Sequence, residues 1–259
     1  MTTPRPATPA DGVAWITGAS QGIGAATALR LVRDGWTVVA SARRADALAT
    51  VATQAPAGRI VPFALDVTDI AACRAAVPAI EAAHGPVALA ILNAGTYAPD
   101  AMETLKAEAV KATHDLNVMG IVNCLDPLVP AMLARGRGHL ALVSSVAGYR
   151  GLPRSIAYGS SKAAVINMAE SLKLDGDRLG IRVQLVNPGF VRTPLTDRND
   201  FPMPFLMEVE DAADALVRGL AGKAFEIAFP RRFVFLLNRL RSLPDAAYFA
   251  LVSRGTGRT

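Results

Sequence analysis

Tyr158 and Lys162 are the two residues whose types and spacing point most directly to chemistry. They stand four positions apart in a stretch with helical character, so their Cβ atoms would lie on one face, about 6 Å apart. A free phenol has a pKa of about 10, and an adjacent ammonium favours the phenolate and lowers that pKa. Tyr158 could then exchange a proton with an alcohol or a ketone. The spacing alone is common, and a half-buried tyrosine beside a solvated lysine is the alternative.

A glycine-rich turn near the N-terminus supplies a second feature. Val13–Ile16 predicts a strand, Thr17-Gly-Ala-Ser-Gln-Gly-Ile-Gly24 a turn and Ala25–Arg33 a helix, which is the order a dinucleotide site requires. The first glycine would permit the tight turn, the second a close approach of backbone to a pyrophosphate, and the third close helix packing, while the helix N-terminus offers unpaired N–H donors. The spacing is one residue looser than the commonest fingerprint, so a plain structural turn is the alternative.

Further motifs follow the glycine turn in a fixed order. They are Asn93-Ala-Gly95 after an apolar run, Asn117, Ser145, the pair Tyr158 and Lys162, Pro188-Gly189 and Thr193. In this order they resemble the classical short-chain dehydrogenase/reductase family, and the resemblance runs from about Val13 to about Pro194. Each piece alone could be structural, as a turn cap, a strand end or a partner of helix backbone. Coincidence of all of them is improbable.

The resemblance implies roles for the matching residues. Asn117, Ser145, Tyr158 and Lys162 look like the family's catalytic tetrad. The expected cofactor contacts are Gly18, Ser20, Gln21, Gly22, Ile23, Gly24, Asn93, Ala94, Gly95, Tyr158, Lys162, Pro188, Gly189, Val191 and Thr193.

The expected reaction is hydride transfer between a nicotinamide and a carbonyl or secondary alcohol, because the cofactor carries the hard chemistry. In reduction Tyr158 would give its proton to the developing alkoxide, with Ser145 fixing the substrate oxygen. Lys162 would lower the phenol pKa and hold the ribose hydroxyls, Asn117 would anchor a water, and Thr193 would orient the carboxamide. A nucleotide-sensing binding protein without turnover is the rival function.

The end of the second predicted strand indicates which dinucleotide binds. NAD-preferring relatives carry an acid where this chain has Ala42, and Arg43 and Arg44 follow at once. A guanidinium pairs with phosphate in a bidentate manner, so NADP(H) is favoured. Arg43 is the first choice for the 2′-phosphate and Arg44 the second, and a solvated charge is the alternative for each. Asp66 resembles the family residue that accepts from the adenine amino group, with Val67 beside it offering backbone, although Asp66 could equally cap the next helix.

Apolar, β-branched runs alternate with helical stretches along the chain. The further predicted strands are Trp36–Ala40, Ile60–Leu65, Val87–Leu92, His139–Val143, Ile181–Val186 and Phe225–Phe229, and the further helices are Ala45–Gln54, Ile70–Ala83, Glu103–Leu133 and Ala157–Arg178. Near-continuous hydrophobicity indicates strands covered on both faces, and the connections are long enough for parallel crossovers. The sequence therefore predicts a single α/β domain, a Rossmann-like doubly wound parallel sheet with helices on both faces, spanning residues 12–230.

Length, cysteine content and the N-terminal residues agree with this assignment. The 259 residues suffice for one large domain, and residues 1–11, rich in Pro and Thr, predict a loose tail rather than a secretion signal. Cys73 and Cys124 fit neither a zinc site nor a disulfide framework, so they are interpreted as buried small residues in a reducing compartment. The expected location is the cytoplasm, and no metal is expected.

The chain departs from the family pattern after Pro194. Thr196–Met207 stands where a mobile substrate loop is expected, and its Phe and Met residues favour an apolar substrate wall or simple packing on the core. The glycine-rich ending common in tetrameric relatives is missing, so the expected homodimer or higher homo-oligomer would not use the familiar tetramer packing.

The last 29 residues form a separate basic extension, 231–259. Residues 1–230 hold 21 Lys and Arg against 21 Asp and Glu, whereas the extension holds six Arg against Asp245 alone. Its imperfect amphipathicity indicates an interfacial segment attracted to anionic lipid, or one that covers its own subunit or a partner. Nucleic acid is not an expected partner, because the arginines lie in an apolar context without a recognition element.

Overall fold

The structure, a computed structural model, describes residues 4–198 and 203–255. Seven strands form one parallel sheet in the order β3-β2-β1-β4-β5-β6-β7. The strands are β1 Val13–Thr17, β2 Val38–Ala42, β3 Ile60–Ala64, β4 Val87–Leu92, β5 Gly138–Val143, β6 Ile181–Pro188 and β7 Glu226–Phe229. The predicted doubly wound parallel sheet is confirmed, and β4 agrees residue for residue with its prediction.

Helices cover both faces of the sheet. They are α1 Gly22–Arg33, α2 Ala45–Ala52, α3 Ile70–His84, α4 Ala107–His114, α5 Gly120–Arg135, α6 Ile156–Leu179, α7 Val209–Ala221, α8 Arg231–Arg241 and α9 Asp245–Gly255. Buried side chains of α3, α5 and α6 form one core layer with the sheet, and those of α1, α2 and α7 form the other. Successive residues of β1 alternate between the layers, which is why its apolar run is continuous.

The long helix predicted over Glu103–Leu133 differs in the structure. It begins at Ala107, because Leu105 is extended after a separate 3-10 turn, and a π-helical turn at Asp115–Met119 divides it into α4 and α5. The whole stretch Ala107–Arg135 has the length and composition of a membrane span. In the fold it is a core helix, since Ile121, Cys124 and Leu128 are buried against the sheet.

The N-terminal residues lie on the domain instead of forming the loose tail that their composition predicts. Arg5 pairs with Asp11 at 2.7 Å, and the backbone N–H of Ala7 donates to His139 Nδ1 at 3.4 Å. The buried guanidinium of Arg182 donates to the carbonyl of Pro4 at 2.9 Å. These contacts give hydrogen-bond partners to the buried side chains of His139 in β5 and Arg182 in β6, so residues 4–11 lie against the domain. Residues 1–3 lie outside the described part of the chain.

The strand order reverses direction between β1 and β4, and in open α/β sheets ligands bind at the carboxyl ends of the strands at such a switch point. The glycine turn follows β1, Asn93 follows β4, Ser145 follows β5 and Gly189 follows β6. The parallel topology therefore brings the predicted site residues to one edge of the sheet.

Candidate active site

The glycine turn connects β1 to α1 with two residues in left-handed conformations. Gly18 has φ +67° and Gly22 has φ +56°, values that favour glycine. A Cβ on Gly24 would lie 2.4 Å from the carbonyl oxygen of Gly18 and 2.6 Å from Asn93 Nδ2, so the third glycine permits the helix to pack against its own turn. The residues of this turn thus have the conformations that their spacing predicts.

Thr17 and Asn93 hold the turn in place. The backbone N–H groups of Asn93 and Ala94 donate to Thr17 Oγ1 at 3.0 and 3.1 Å, and Asn93 Nδ2 donates to the carbonyls of Thr17 and Gly18 at 3.0 and 3.2 Å. The predicted cofactor residue Asn93 is therefore occupied in bracing the turn. Thr17 also stabilises the turn and is not among the predicted site residues. The only signal for it in the sequence is its place between the strand and the first glycine.

The N-terminus of α1 offers backbone N–H groups that no side chain caps and that could bind an anion. No side chain caps it, since Gln21 at the N-cap position makes no side-chain bond, and its first turn contains no acidic residue. By contrast, Asp69 caps α3 by accepting from the N–H of Ala72 at 3.0 Å. Uncapped N–H donors at the positive end of a helix dipole are suited to a phosphate group. The turn and this helix end therefore fit the pyrophosphate of a dinucleotide.

The end of β2 carries two exposed arginines. β2 ends at Ala42, Arg43 follows it, and Arg44 stands at the N-cap position of α2 without a side-chain cap bond. Hydrogen bonds from Thr68 are the main cause that lowers the pKa of Asp66, and the nearby positive charge of Arg43 lowers it further. Asp66 does not cap α3, because its carboxylate accepts from Thr68 at 2.9 and 2.8 Å.

Val67 contributes less backbone than expected. Its carbonyl accepts from Asn123 Nδ2 at 2.9 Å, and its buried side chain contacts Gly120 so closely that an added Cβ there would lie 2.7 Å away. Because Asn123 occupies the Val67 carbonyl, the backbone N–H of Val67 is the group that remains for a ligand.

Tyr158 lies in the first turn of α6, with its ring edge-on to Tyr97 at 5.0 Å between centroids. Ser145, at the end of β5, is buried beside it and donates to the carbonyl of Pro188 at 3.3 Å. Burial raises the pKa of Tyr158, and hydrogen bonding with Ser145 opposes that rise. The spacing of Tyr158 and Lys162 predicts a lowered phenol pKa; the net direction is the opposite because burial outweighs the neighbouring polar groups.

Lys162 is buried one helical turn further along α6, with 3% of its surface exposed. Its Nζ donates to the carbonyl of Val143 at 3.0 Å and lies 5.7 Å from the centre of the Tyr158 ring. Burial lowers the pKa of Lys162 to about 8. An ammonium has three donors, so two are left in the described surroundings for a bound ligand.

The π-helical turn between α4 and α5 positions Asn117. This fully buried side chain accepts from the N–H of Thr96 at 2.7 Å and donates to the Thr96 carbonyl and to Ser161 Oγ, both at 3.0 Å. Its Oδ1 and Lys162 Nζ lie 3.2 and 3.5 Å from where a Cβ on Gly95 would be, so the glycine leaves room between them. The structure therefore brings Asn117 next to Lys162. π-Helical turns inside helices are frequent at functional sites, and this one agrees with that tendency.

Asp100 is a positioning residue that the sequence analysis missed. Its carboxylate accepts from the N–H groups of Ile156 and Ala157 at 2.7 and 2.8 Å and so caps the helix that carries Tyr158. The cap comes from 56 residues away, which is why no local pattern could indicate it. Its presence fixes the first turn of α6.

The segment after β6 lies beside the glycine turn. Gly189 donates its N–H to the carbonyl of Phe229 at 2.7 Å, and the methyl group of Thr193 lies 3.2 Å from where a Cβ on Gly22 would be. Buried Val191 bridges to Met207, which anchors both ends of the predicted substrate loop. Within that loop Phe205, at φ +60°, lies 5.9 Å from the Phe233 ring, whereas residues 199–202 lie outside the described part.

Across the described residues, no group of three His, Cys, Asp or Glu side chains could hold a metal ion. The two cysteines are unpaired and buried, as expected. The fold and the site together define a dinucleotide-binding α/β protein in which half-buried Tyr158 lies beside buried Lys162.

Known proteins share this architecture. Residues 12–201 match the short chain dehydrogenase family. The chain is 38% identical over 243 residues to an uncharacterized oxidoreductase of Myxococcus xanthus, covering 93% of this chain and 96% of that protein. A short-chain dehydrogenase from Burkholderia cenocepacia, solved with NADP, has a TM-score of 0.81 at 27% identity over 93% of this chain and 97% of its own. A 3-ketoacyl-(acyl-carrier-protein) reductase from Brucella melitensis, solved with NADH, has a TM-score of 0.77 at 25% identity over 84% and 96% of the two chains.

The chain belongs to the short-chain dehydrogenase/reductase family. It is an oxidoreductase that uses a pyridine nucleotide and acts on a small molecule.

Proposed function

We propose that this protein is an NADP(H)-dependent oxidoreductase that interconverts a carbonyl group and a secondary alcohol of an apolar small molecule, with Tyr158 as the general acid and base. The observation that carries the proposal is the cluster of half-buried Tyr158 with buried Ser145 and Lys162, next to Asn117 and at the same sheet edge as the uncapped N-terminus of α1. The bound nicotinamide would supply or accept the hydride.

The pKa direction of Tyr158 favours work as an acid. Burial raises its pKa, so the phenol keeps its proton near neutral pH and can donate it to an oxygen that is becoming an alkoxide. Ser145, whose hydroxyl lies between the Pro188 carbonyl and the N–H of Ala147, would hydrogen-bond the substrate oxygen and set its angle. These residues support carbonyl reduction as the favoured direction.

Lys162 would act on both the phenol and the cofactor ribose. Its two remaining donors suit the ribose hydroxyls, and its positive charge would stabilise a Tyr158 phenolate after proton transfer. Asn117 would anchor a water that connects Lys162 to bulk solvent, since it lies beside Lys162 with its amide held by Thr96. Thr193 would orient the carboxamide from its place beside the glycine turn.

A Tyr158→Phe variant tests the chemistry. Loss of the proton donor should lower kcat/KM by roughly 100- to 10,000-fold, with the Kd for NADPH changed little, in an NADPH oxidation assay over chain-length-graded ketones and aldehydes. Tyr248→Phe, which removes a buried hydroxyl of the C-terminal extension, is the matched control. Near wild-type turnover by Tyr158→Phe on any substrate would refute the mechanism.

The preference for NADP(H) rests on Arg43 and Arg44, which follow Ala42 where an acid would repel a 2′-phosphate. We expect Arg43→Ala to weaken NADPH binding by about 10- to 100-fold while the Kd for NADH stays constant, because a charge-assisted bond to phosphate is lost. Fluorescence titration measures both constants without a substrate, and Arg33→Ala at the far end of α1 is the control. An unchanged NADPH/NADH ratio rules out this role for Arg43.

A nucleotide sensor without turnover is the second candidate. A sensor would need no proton donor, so the complete tetrad argues against it. Tight NADPH binding combined with no turnover across the carbonyl panel would favour the sensor. For either function we propose a homo-oligomer that acts in the cytoplasm and binds no nucleic acid.

A further inference from the structure

The C-terminal extension forms two helices, α8 and α9, that are anchored by one buried aromatic residue each. Phe233 of α8 is 7% exposed and stacks on Phe190 at 5.4 Å between centroids. Tyr248 of α9 is 2% exposed, and its hydroxyl donates to the carbonyl of Gly151 at 2.8 Å. The extension is therefore attached to the rim of the site.

Arg150 joins the two helices to the segment that follows Ser145. Its guanidinium donates to the carbonyls of Arg241 and Leu243 at 3.0 and 2.8 Å, pairs with Asp245, and stacks on the Tyr248 ring at 3.9 Å. This clamp fixes which sides of α8 and α9 face outward.

The outward sides carry large apolar residues. Phe235 is 63% exposed, Leu236 54%, Phe249 59% and Leu251 50%. On α9 the alanines 246, 247 and 250 are exposed as well. We call these residues together the outer apolar face. Isolated exposed apolar residues are normal, but a concentration of large ones on two consecutive short helices is of the kind that marks an interaction site.

The unpaired charges that the described part of the extension carries have one sign. Arg231, Arg232, Arg239 and Arg254 are exposed on the same two helices, whereas Arg241 lies over the Tyr149 ring of the domain at 4.7 Å and Asp245, the acidic residue of the extension, is paired with Arg150. Arg239 lies over the ring of Phe235 at 5.1 Å, so charge and apolar surface are mixed at the patch. A second copy docked face to face would bring like charges together, which opposes self-association and favours an anionic partner.

We propose that the outer apolar face binds the surface of an anionic lipid bilayer. Phe and Leu side chains would enter the boundary between headgroups and acyl chains while the arginines contact lipid phosphates. Each helix has 11 residues, too few to span the roughly 30 Å of hydrocarbon, so the extension lies on the membrane.

The position of the face suggests the substrate class, an extension that rests on the proposed function above. Phe233 lies against Gly189 and Phe190, directly after the Pro188 carbonyl that Ser145 contacts. Docking would set the rim of the site close to the bilayer. The substrate would then be an apolar ketone, aldehyde or alcohol that partitions into lipid.

Vesicle co-sedimentation of the full chain tests the binding without any assay of turnover. We expect binding to vesicles with about one third phosphatidylserine, little binding to pure phosphatidylcholine, and loss of binding as ionic strength rises. Arg231→Gln with Arg232→Gln should weaken binding by roughly fivefold for each charge removed. Arg33→Gln with Lys223→Gln removes two exposed charges elsewhere and should have no effect.

The apolar contribution has its own variant pair. Phe235→Ser with Phe249→Ser should reduce binding by at least tenfold, whereas Leu174→Ser with Leu179→Ser, exposed on α6, should not. Equal sedimentation with both vesicle types, or equal binding by all variants, would overturn the proposal. So would a fall in oligomer mass of the Phe235→Ser and Phe249→Ser variant in light scattering without lipid, because the face would then be a subunit interface. Failure of Tyr158→Phe to lose turnover would instead remove only the proposed chemistry and the substrate class.

Discussion

Replacement of Asp100 should separate the position of Tyr158 from the stability of the fold. The carboxylate accepts the N–H groups of Ile156 and Ala157, and Tyr158 is the next residue of the same 24-residue helix. A second link, from the N–H of Asp100 to the carbonyl of Arg154 at 3.3 Å, ties the two segments together. Asp100→Ala would leave both helix donors without their partner.

The magnitude follows from the two bonds and the charge. Loss of an N-cap side chain costs about 0.5–2 kcal/mol, and loss of a negative charge at a helix N-terminus costs about 0.3–1 kcal/mol. The sum, about 1–3 kcal/mol, falls on the turn that carries the phenol. If this whole free energy were added to the activation barrier of proton transfer, kcat would fall by roughly 5- to 150-fold. Asp100→Asn keeps one acceptor and should give an intermediate loss.

Asp69 offers the matched control, because it caps α3 with the same chemistry and makes none of the contacts that hold Tyr158. Its carboxylate accepts one N–H, that of Ala72 at 3.0 Å. We expect both alanine variants to lose a similar free energy of unfolding in urea titrations. Asp100→Ala alone should lose kcat in the NADPH oxidation assay, with KM and the Kd for NADPH near wild-type.

Equal losses of stability accompanied by unchanged kcat in Asp100→Ala would show that Tyr158 keeps its position without the cap. A parallel loss of kcat in Asp69→Ala would show that activity follows global stability. Either result refutes the assignment of Asp100 as a positioning residue.

Two further predictions concern stability and nucleotide binding. Burial lowers the pKa of His139 to about 3, below its unfolded value, so the unfolded chain binds more protons as the pH falls below about 6.5 and stability is lost. This one group should remove about 2 kcal/mol of unfolding free energy between pH 7 and pH 5, and His139→Asn should flatten that slope in denaturation curves at the two pH values. Gly24→Ala should weaken NADPH binding at least tenfold in a fluorescence titration, because its Cβ would lie 2.4 Å from the carbonyl oxygen of Gly18. Gly151→Ala, where an added Cβ meets nothing within 4 Å, should bind normally; equal affinities would contradict the packing argument.

The parts of the fold that could be predicted are those fixed by local pattern. Strands buried on both faces need continuous apolar runs, so β4 and β5 were predicted within one residue. Helix α7 is missing from the sequence prediction, although Ala212, Ala213 and Leu216 line one buried side of it. It follows the substrate loop, where the chain departs from the family pattern and the resemblance gives no guide. That signal was present in the sequence and was overlooked.

The parts that could not be predicted depend on contacts distant in sequence. The cap from Asp100 and the brace from Thr17 join segments 56 and 76 residues apart, and no local spacing encodes them. The pKa of Tyr158 was misjudged for the same reason, since the burial that raises it comes from several elements that meet only in the folded chain. Spacing along a helix indicates which groups are neighbours, but it does not give the dielectric environment that they share.

The residues of the candidate site divide into a rigid set and a variable set. Ser145 follows β5, Tyr158 and Lys162 lie on α6, and Asn117 lies in the π-helical turn, so the backbone of these elements fixes the positions of all four side chains. The walls expected to contact the rest of the substrate come from Phe190, the loop around Phe205 and the C-terminal helix with Phe233. A change in those aromatic residues should therefore alter which carbonyl compound the proposed enzyme uses and leave the proposed proton transfer intact.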